Sequence, residues 1–446
     1  MARMELVELG RTGLMRFSGH VYEEFLPELQ GRRAIDIYTE MSLNDPVIGA
    51  ILHAIELLIR QVEWRVEPAG QTLDDLEAAL FLESCLEDME LTWEETISEI
   101  LSMLVYGWSY HEIVYKIRLG PNSDPSKDSR FNDGRIGWRG FPIRAQSSLW
   151  SWDFSDTGQI LGMVQQAPPD YQMRYIPMEK ALLFRTSVYK NNPQGKSLLR
   201  NAYSAWYFKK HIEIIEGIGV ERDLAGLPIA WVPPELLSSQ ASEEDRAILE
   251  SIKRIVTNVR RDEQEGIVFP LLYDENGHKL YDFTLLSTGG TRQFNTDQII
   301  ARYDQRIAMT VLADFILLGH EHVGSFSLAS SKTHLFSVAL GSWLNMIAAQ
   351  FNRVAIPRLF KLNGYSLKKL PKLVHGDIEV PNLTELGDYI TKLAGAGMDL
   401  FPDQKLEEYL RKVANLPSPS YLDDNVWSDD RNNIAHNANR EVMIAE

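Results

Sequence analysis

Residues 295–317 read NTDQIIARYDQRIAMTVLADFIL, and this stretch decides the fold because it predicts one long helix. It opens with Asn295, Thr296 and Asp297, residue types that cap helix N-termini. Its apolar residues recur at every fourth position, so they form a stripe along one side of the helix. The stripe consists of Ile299, Tyr303, Ile307, Val311 and Phe315. A stripe of this length requires a packing partner along the whole helix.

A second long helix is predicted over 336–358, where Pro357 favours an end or a kink. Its apolar positions are Phe336, Leu340, Leu344, Ile347 and Phe351. The segment 319–335 between the two helices is small, polar and nearly uncharged. We interpret it as a functional loop, because plain connectors inside compact domains are usually shorter.

Composition excludes several classes of protein. The 446 residues carry a net charge of −17, which argues against a protein built to grip nucleic acid. The single cysteine, Cys85, excludes a disulfide framework and a cysteine-rich zinc site. No apolar run approaches the roughly twenty residues of a membrane helix, and the N-terminus has no signal-peptide core. We therefore expect a soluble protein of a reducing cytoplasm, with no membrane partner.

The N-terminal part mixes helices with short strands and predicts the α+β class. We expect an arm with one short helix over 1–40 and a helix that begins at Pro46. Further helices are predicted over 73–89 and 93–106, and strands over 62–68, 110–117, 135–141, 149–154, 160–165 and 181–186.

The C-terminal part begins with a predicted helix over 198–220. An α+β insert over 225–290 follows, with a strand over 226–232, a helix over 242–259, and a hairpin whose Asn276-Gly277 pair suits the turn. A strand over 374–380, helices over 384–393 and 403–413, and a polar tail are predicted beyond 358.

Three motifs resemble parts of nucleotide-binding or metal-binding sites, but each has a simpler structural explanation. Gly195-Lys196-Ser197 lacks the glycine that a phosphate loop has five positions earlier, so we interpret it as a turn and a helix cap. The apolar strand 267–275 ends in Asp-Glu as in ATPases, but a hairpin turn follows at once. His320 and His322 are two positions apart and lack a third ligand nearby, which disfavours metal. We predict no catalytic residue, no metal and no cofactor.

The order of these elements resembles the portal proteins of tailed bacteriophages, and in particular their Mu-like branch. The resemblance is carried by the stretches 44–52 with 62–66, 106–115 and 193–199, and by the order helix, insert, helix, loop, helix from 198 to 362. Such proteins form rings, usually of twelve subunits, at one capsid vertex. The resemblance therefore implies the portal fold: a wing, paired stem helices, a clip, a tunnel loop and a crown.

The portal architecture divides the chain into segments. They are the wing 1–197, the first stem helix 198–224, the clip 225–290, the second stem helix 291–318, the tunnel loop 319–335, a long wing helix and wing strand 336–382, crown helices 383–416 and an acidic polar tail 417–446. The tail has no clear counterpart in the family.

The resemblance also implies partners and sites. The partners are other copies of the chain, double-stranded DNA, the terminase large subunit, a head–tail adaptor and the major capsid protein, in a virion assembled in the host bacterial cytoplasm. The DNA-facing candidates are His320, His322, Ser325, Ser327, Ser330, Ser331 and Lys332. The stripe Ile299, Tyr303, Ile307, Val311 and Phe315 would pack the stem and the ring. Clip docking would use Asp245, Arg246, Lys253, Arg260, Asp274 and Asn276.

The charges agree with a conduit, because a channel that passes a duplex must not hold it. The loop has Lys332 as its one fixed cation, which Glu321 offsets, and an acidic ring would repel the DNA backbone. Two alternatives remain at this stage. One is another ring-forming virion connector, and the other, less favoured, is a DNA-packaging enzyme.

Overall fold

A computed structural model describes residues 10–225, 227–238, 241–258, 282–286, 295–310, 326–366, 368–378 and 383–398, with single positions between 273 and 277 and between 400 and 414. The chain divides into two compact units, Met1–Gly376 and Asp377–Glu446. We describe each unit by itself.

The first unit begins with alternating helices and short strands. In chain order they are β1 (Arg16–Phe17), β2 (His20–Val21), α1 (Gly31–Asn44), α2 (Pro46–Arg60), β3 (Trp64–Glu67), α3 (Leu73–Glu87), α4 (Trp93–Tyr106), β4 (Trp108–Glu112), β5 (Val114–Leu119), β6 (Asn132–Gly140), β7 (Leu149–Phe154), β8 (Ile160–Gln166), β9 (Met173–Pro177) and β10 (Ala181–Arg185). The remainder is mostly helical and consists of α5 (Tyr203–Ala225), β11 (Leu227–Trp231), α6 (Glu243–Asn258), β12 (Asp282–Leu286), α7 (Thr296–Thr310), α8 (Phe326–Gln350), α9 (Ile356–Leu362) and β13 (Lys372–His375).

The strands form small antiparallel sheets. The pairs are β1–β2, β3–β13, β4–β10, β5–β6 and β11–β12, and β7, β8 and β9 form a three-stranded sheet in that order. Helices and separate antiparallel sheets together make an α+β fold, so the predicted class is confirmed.

Side-chain caps explain where several helices begin. Asp45 caps α2 by accepting hydrogen bonds from the backbone N–H groups of Val47 and Ile48, both at 3.0 Å. Thr92 caps α4, and its hydroxyl accepts from Glu95 N at 3.1 Å while the Glu95 carboxylate accepts from Thr92 N at 2.8 Å. Such reciprocal bonds satisfy backbone donors that the helix itself leaves unpaired.

Several predicted boundaries in the wing were wrong. The helix of the N-terminal arm is longer than predicted, because α1 has 14 residues. The strand predicted over 110–117 is two strands that belong to different sheets, β4 with β10 and β5 with β6. Ile113 marks the break, since it is fully buried and its N–H donates to Lys180 O at 2.7 Å. Strand β9 was not predicted.

The helix predicted over 336–358 is longer at both ends. It begins at Phe326, passes through a π-helical turn at Phe351–Ala355 and continues as α9 to Leu362. Of the two outcomes predicted at Pro357, an end or a kink, the end is therefore wrong. A proline ring clashes with the carbonyl four residues earlier, here that of Arg353, and a π turn just before the proline widens the helix at that carbonyl.

One part of the apolar core of this unit joins α1 and α2, in the predicted wing, to α5 and α7, the predicted stem helices. Tyr38, Met41 and Ile48 of α1 and α2 pack with Trp206 of α5 and Ile307 of α7, and all are buried. The first turns of α5 and the last described turns of α7 are thus embedded in the wing.

The second unit contains α10 (Leu383–Gly395), which we predicted over 384–393. Gly397 has φ of 87°, and Met398 N donates to Leu393 O at 3.2 Å, so a left-handed glycine terminates this helix. Of the helix predicted over 403–413, the described residues Leu406, Glu407, Leu410 and Arg411 are helical, and Asp403 is described and is not.

Candidate stem and subunit interface

Helices α5 and α7 pack side by side, as the stripe on α7 requires. The ring of Phe208 stacks on that of Tyr303 with a centroid distance of 6.4 Å. One end of the pair is tied by the Thr296 hydroxyl, which donates to the Glu216 carboxylate. The two helices therefore form one unit that leaves the wing together.

A buried ion cluster lies where this pair enters the wing. The ammonium group of Lys209, on α5, is 2.9 Å from Asp45 Oδ2 and 2.6 Å from Asp304 Oδ1. Glu213 Oε1 lies further away, at 3.9 Å. Lys209 is 2% exposed and Asp45 is 6% exposed. The cluster thus joins α2, α5 and α7 around a buried lysine and a buried aspartate, while the Asp304 side chain is 23% exposed.

Electrostatics keep this lysine charged. Burial opposes the charge of Lys209, but hydrogen bonds to Asp304 and Asp45 and their negative charges outweigh burial and hold the lysine pKa above its usual value. Burial also raises the pKa of Glu213; Lys209 lowers it, and the neighbouring carboxylates raise it further. Sequence reasoning missed this cluster, because nothing in the spacing of Asp45, Lys209 and Asp304 indicates that they meet.

The predicted stripe on α7 faces the chain's own helices where it is described. Ile307 is buried in the shared core, and Ile299 and Tyr303 are half-buried. Val311 and Phe315 lie outside the described residues. A role for any of the five between subunits stays a prediction.

The exposed apolar face of the pair lies on α5. At 100° per residue, this face is centred opposite Lys209. Its members are Tyr207, Phe208, His211, Ile214, Ile215 and Ile218. Ile215 is 67% exposed and Ile214 is 51% exposed. A stable surface helix normally turns polar residues to water, so this face indicates a contact with another molecule. In the sequence, this face could have been recognised from the apolar residues that lie on both sides of α5.

The exposed face of α7 has a different chemistry. Gln298, Ala301, Gln305 and Met309 are exposed there. Arg302 and Arg306 are exposed too, and their guanidinium groups lie 5.4 and 5.7 Å from the ring centre of Tyr303. Neither arginine forms a salt bridge with any described carboxylate. The α5–α7 pair therefore presents one apolar side and one cationic, polar side.

The predicted tunnel loop is partly helical. Ser327, Ser330, Ser331 and Lys332 lie in the first two turns of α8, so the loop predicted over 319–335 is wrong from Phe326 onward. Serine and alanine are compatible with a helix, and the loop prediction gave their small size too much weight. His320, His322 and Ser325 lie outside the described residues. Contact of any of these residues with DNA stays a prediction.

The predicted clip contains α6 packed beside the β11–β12 pair. Ser242 caps α6, because its Oγ accepts from Asp245 N at 3.1 Å, and the Asp245 carboxylate completes the cap by accepting from the Ser242 hydroxyl at 2.7 Å. Lys253 lies 3.3 Å from Glu250, and Arg246 is exposed on the same helix. Strand β12 pairs with β11; most of the predicted hairpin, including Asp274 and Asn276, lies outside the described residues, as does Arg260.

The partial phosphate-loop motif has the geometry of a turn and a cap. Gly195 has φ of +56°, and Ser197 Oγ accepts from Leu199 N at 3.0 Å at the start of a short 3-10 helix. No group of three metal-binding side chains occurs among the described residues. Within the same residues no single helix could cross a membrane; α1 and α2 reach the required length and composition only as a pair bent by 88°.

Comparison with known sequences gives a family match over most of the chain. Residues 35–416 match the family described as the portal protein of Mu bacteriophage. The match covers the elements from most of α1 to α10.

Three solved structures match the chain at low sequence identity. The chain is 13% identical to a chain in the neck of the native gene transfer agent particle computed with C12 symmetry, covering 86% of this chain and 94% of that one, with a TM-score of 0.48. A chain in the virion of the native gene transfer agent particle is 12% identical, with the same coverage of 86% and 94% and a TM-score of 0.47. An HK97-family phage portal protein from Corynebacterium diphtheriae is 9% identical, covering 75% and 93%, with a TM-score of 0.41.

Proposed function

Because this chain belongs to the Mu bacteriophage portal protein family, we propose that it forms a ring of twelve copies at one capsid vertex and conducts double-stranded DNA. Portal proteins are structural components of the virion rather than enzymes. The observation that carries the ring is the apolar face of α5, where the described residues of the same chain leave Ile214, Ile215 and Ile218 exposed.

The two sides of the stem pair support a head-to-tail contact between copies. A closed ring requires that each copy offer two different surfaces, one to each neighbour. The apolar face of α5 and the arginine-bearing face of α7 are such a pair of different surfaces. A symmetric contact of two α7 faces would bring Arg302 and Arg306 of both copies together, which like-charge repulsion disfavours.

The charge of the chain supports passage of DNA rather than its retention. Each copy carries a net charge of −17, so a ring of them repels the phosphate backbone. Tight binding would need clustered Lys and Arg along the channel, each adding salt-dependent affinity. The start of α8 and the residues before it, which include His320, His322, Ser325 and Lys332, line the channel in this proposal.

The remaining partners follow from the place of such a ring in the virion. The insert with α6 and the β11–β12 pair docks the terminase large subunit during packaging and a head–tail adaptor afterwards. The wing contacts the major capsid protein. Assembly takes place in the cytoplasm of the bacterial host.

Electron microscopy of the purified full-length chain tests the proposal. We expect closed annuli with a central opening when particles are viewed down their axis, and a mass near twelve copies by native mass spectrometry. A phage that lacks the gene should form capsids without packaged DNA, and the intact gene should restore packaging. A compact monomer at all concentrations would contradict the ring, and rings that are dispensable for packaging would favour a connector that does not conduct DNA.

A further inference from the structure

The Lys209 cluster marks the level at which the stem leaves the wing. Among residues 203–220 of α5, Lys209 is the last buried one. On α7, none of residues 295–306 is buried, whereas Ile307 and Ala308 are. Asp304 therefore lies one turn outside the apolar core, at the same level as Lys209. Among the described residues, the ion cluster thus contains the last buried side chain of α5 and lies one turn beyond the buried part of α7.

The ion cluster fixes the orientation of α5 and α7 relative to α2 as well as their distance from it. Apolar packing between helices allows small rotations, because one methyl group can replace another in the same contact. A buried ammonium between Asp45 and Asp304 has no such freedom, since moving either carboxylate leaves a charge unpaired away from water. Asp45 is itself held by two backbone N–H groups at the start of α2. The orientation of α5 and α7 is thereby tied to that of α2.

From this geometry we propose that the Lys209 cluster fixes the angle between wing and stem and so determines how many subunits close the ring. The inference rests on the proposed ring function. Neighbouring copies in a ring of twelve are related by about 30° and in a ring of thirteen by about 28°, so a few degrees of freedom at each subunit is enough to change the number. A joint that holds the stem at one angle to the wing selects one number.

The test removes the charges of Asp45, Lys209 and Asp304 together and replaces each side chain with a neutral one of similar size. In the variant D45N/K209M/D304N no buried charge is left unpaired, and asparagine still caps α2 as aspartate does. The control is E40Q/K210M, which removes the ion pair between Lys210 and Glu40. Both of these side chains are about 40% exposed, and Lys210 follows Lys209 in the sequence. The number of subunits is counted by native mass spectrometry and by class averages of full-length rings viewed down the axis.

We expect one ring size for the wild type and for E40Q/K210M, and a mixture of at least two sizes for D45N/K209M/D304N. A single unchanged size in the triple variant would overturn the inference, and so would a folded variant that stays monomeric, since the cluster would then be needed for closure itself. If the triple variant does not fold, D304N alone decides, because it releases only α7: mixed sizes support the inference and one size overturns it. Absence of rings in the wild type would instead refute the proposed function.

Discussion

Asn352 and Leu373 exchange two hydrogen bonds as if they were neighbours in a sheet. Asn352 Nδ2 donates to Leu373 O at 2.8 Å, and Leu373 N donates to Asn352 Oδ1 at 2.9 Å. Asn352 lies in the π turn between α8 and α9, and Leu373 lies in β13 and is 1% exposed. The amide side chain thus supplies the partner that β13 lacks on the side away from β3, and it ties the long helix to that sheet.

Replacing Asn352 with alanine should destabilise the protein. The change leaves the backbone N–H and carbonyl of a buried strand residue without partners, which we expect to lower the free energy of unfolding by about 2–4 kcal/mol. Urea denaturation at a fixed protein concentration measures the loss.

Asn345→Ala is the matched control for that change. Asn345 lies on α8 and is exposed, and its side-chain Oδ1 is 3.2 Å from Nε2 of His375, a contact that water can replace. We expect this variant to lose much less stability than Asn352→Ala. Equal stability of the two variants would show that the paired hydrogen bonds to Leu373 contribute little.

The sequence patterns predicted local elements better than the contacts between them. Helix α4 has the predicted bounds, because Thr92 and Glu95 form a capping box at its start and Gly107, with φ of 89°, ends it. The π turn was missed because proline predicts an end or a kink but not a widened turn before it. The break at Ile113 was missed because an apolar residue inside a strand pattern gives no sign that the chain changes sheets there.

The candidate site was predicted in outline and missed in detail. The stripe on α7 correctly indicated a packing partner, but the periodicity could not tell whether that partner is α5 or another copy. The cluster of Asp45, Lys209 and Asp304 depends on contacts between residues that are 164 positions apart in one case, and no local pattern encodes such contacts. The exposed face of α5 was hidden because a helix that is apolar on both sides shows little periodicity.

Replacing Ile215 with aspartate should prevent ring formation and leave the fold intact. The side chain is 67% exposed, so a charge there is hydrated in the free subunit and would be buried in the proposed contact. We expect unassembled protein by mass photometry, with an unchanged circular dichroism spectrum.

Leu80→Asp tests whether any exposed charge would have the same effect. Leu80 lies on α3 and is 65% exposed, so it receives the same charge at nearly the same exposure away from the stem. Rings should form normally in this variant. Normal rings in Ile215→Asp would show that the exposed face of α5 does not join subunits.

Because His111 is buried, we expect the stability of the protein to fall at acidic pH. His111 is fully buried, its Nδ1–H donates to Phe141 O at 2.8 Å, and burial lowers its pKa to about 4. In the unfolded chain the pKa is about 6.5, so the unfolded state binds a proton first as pH falls. Stability is therefore fully present above about pH 6.5 and is lost as pH falls toward 4, by an amount on the order of 3 kcal/mol.

Substitution by glutamine separates this effect from general acid denaturation. His111→Gln cannot titrate, so its stability should fall less than that of the wild type between pH 6.5 and pH 4 in urea titrations. His53 is exposed on α2, and His53→Gln should follow the wild type. Parallel pH profiles for His111→Gln and the wild type would exclude His111 as the cause.

Removing Lys209 alone should cost more stability than removing the whole ion cluster. In Lys209→Met the carboxylates of Asp45 and Asp304 lose their shared cation, and breaking one side of a buried pair costs about 3–5 kcal/mol. In D45N/K209M/D304N only the carboxylate of Glu213 remains, which is 46% exposed, and we expect stability to return to within about 1–2 kcal/mol of the wild type. The wild type should also lose stability at high pH: the lysine pKa is raised in the folded state, so its stabilisation is present below the usual lysine pKa of about 10.4 and is lost as pH rises through the folded value. Urea denaturation of the three proteins across pH, at one protein concentration, measures the differences between them and this dependence. If the triple variant were as unstable as Lys209→Met, the loss would come from packing around the lysine stem rather than from unpaired charge.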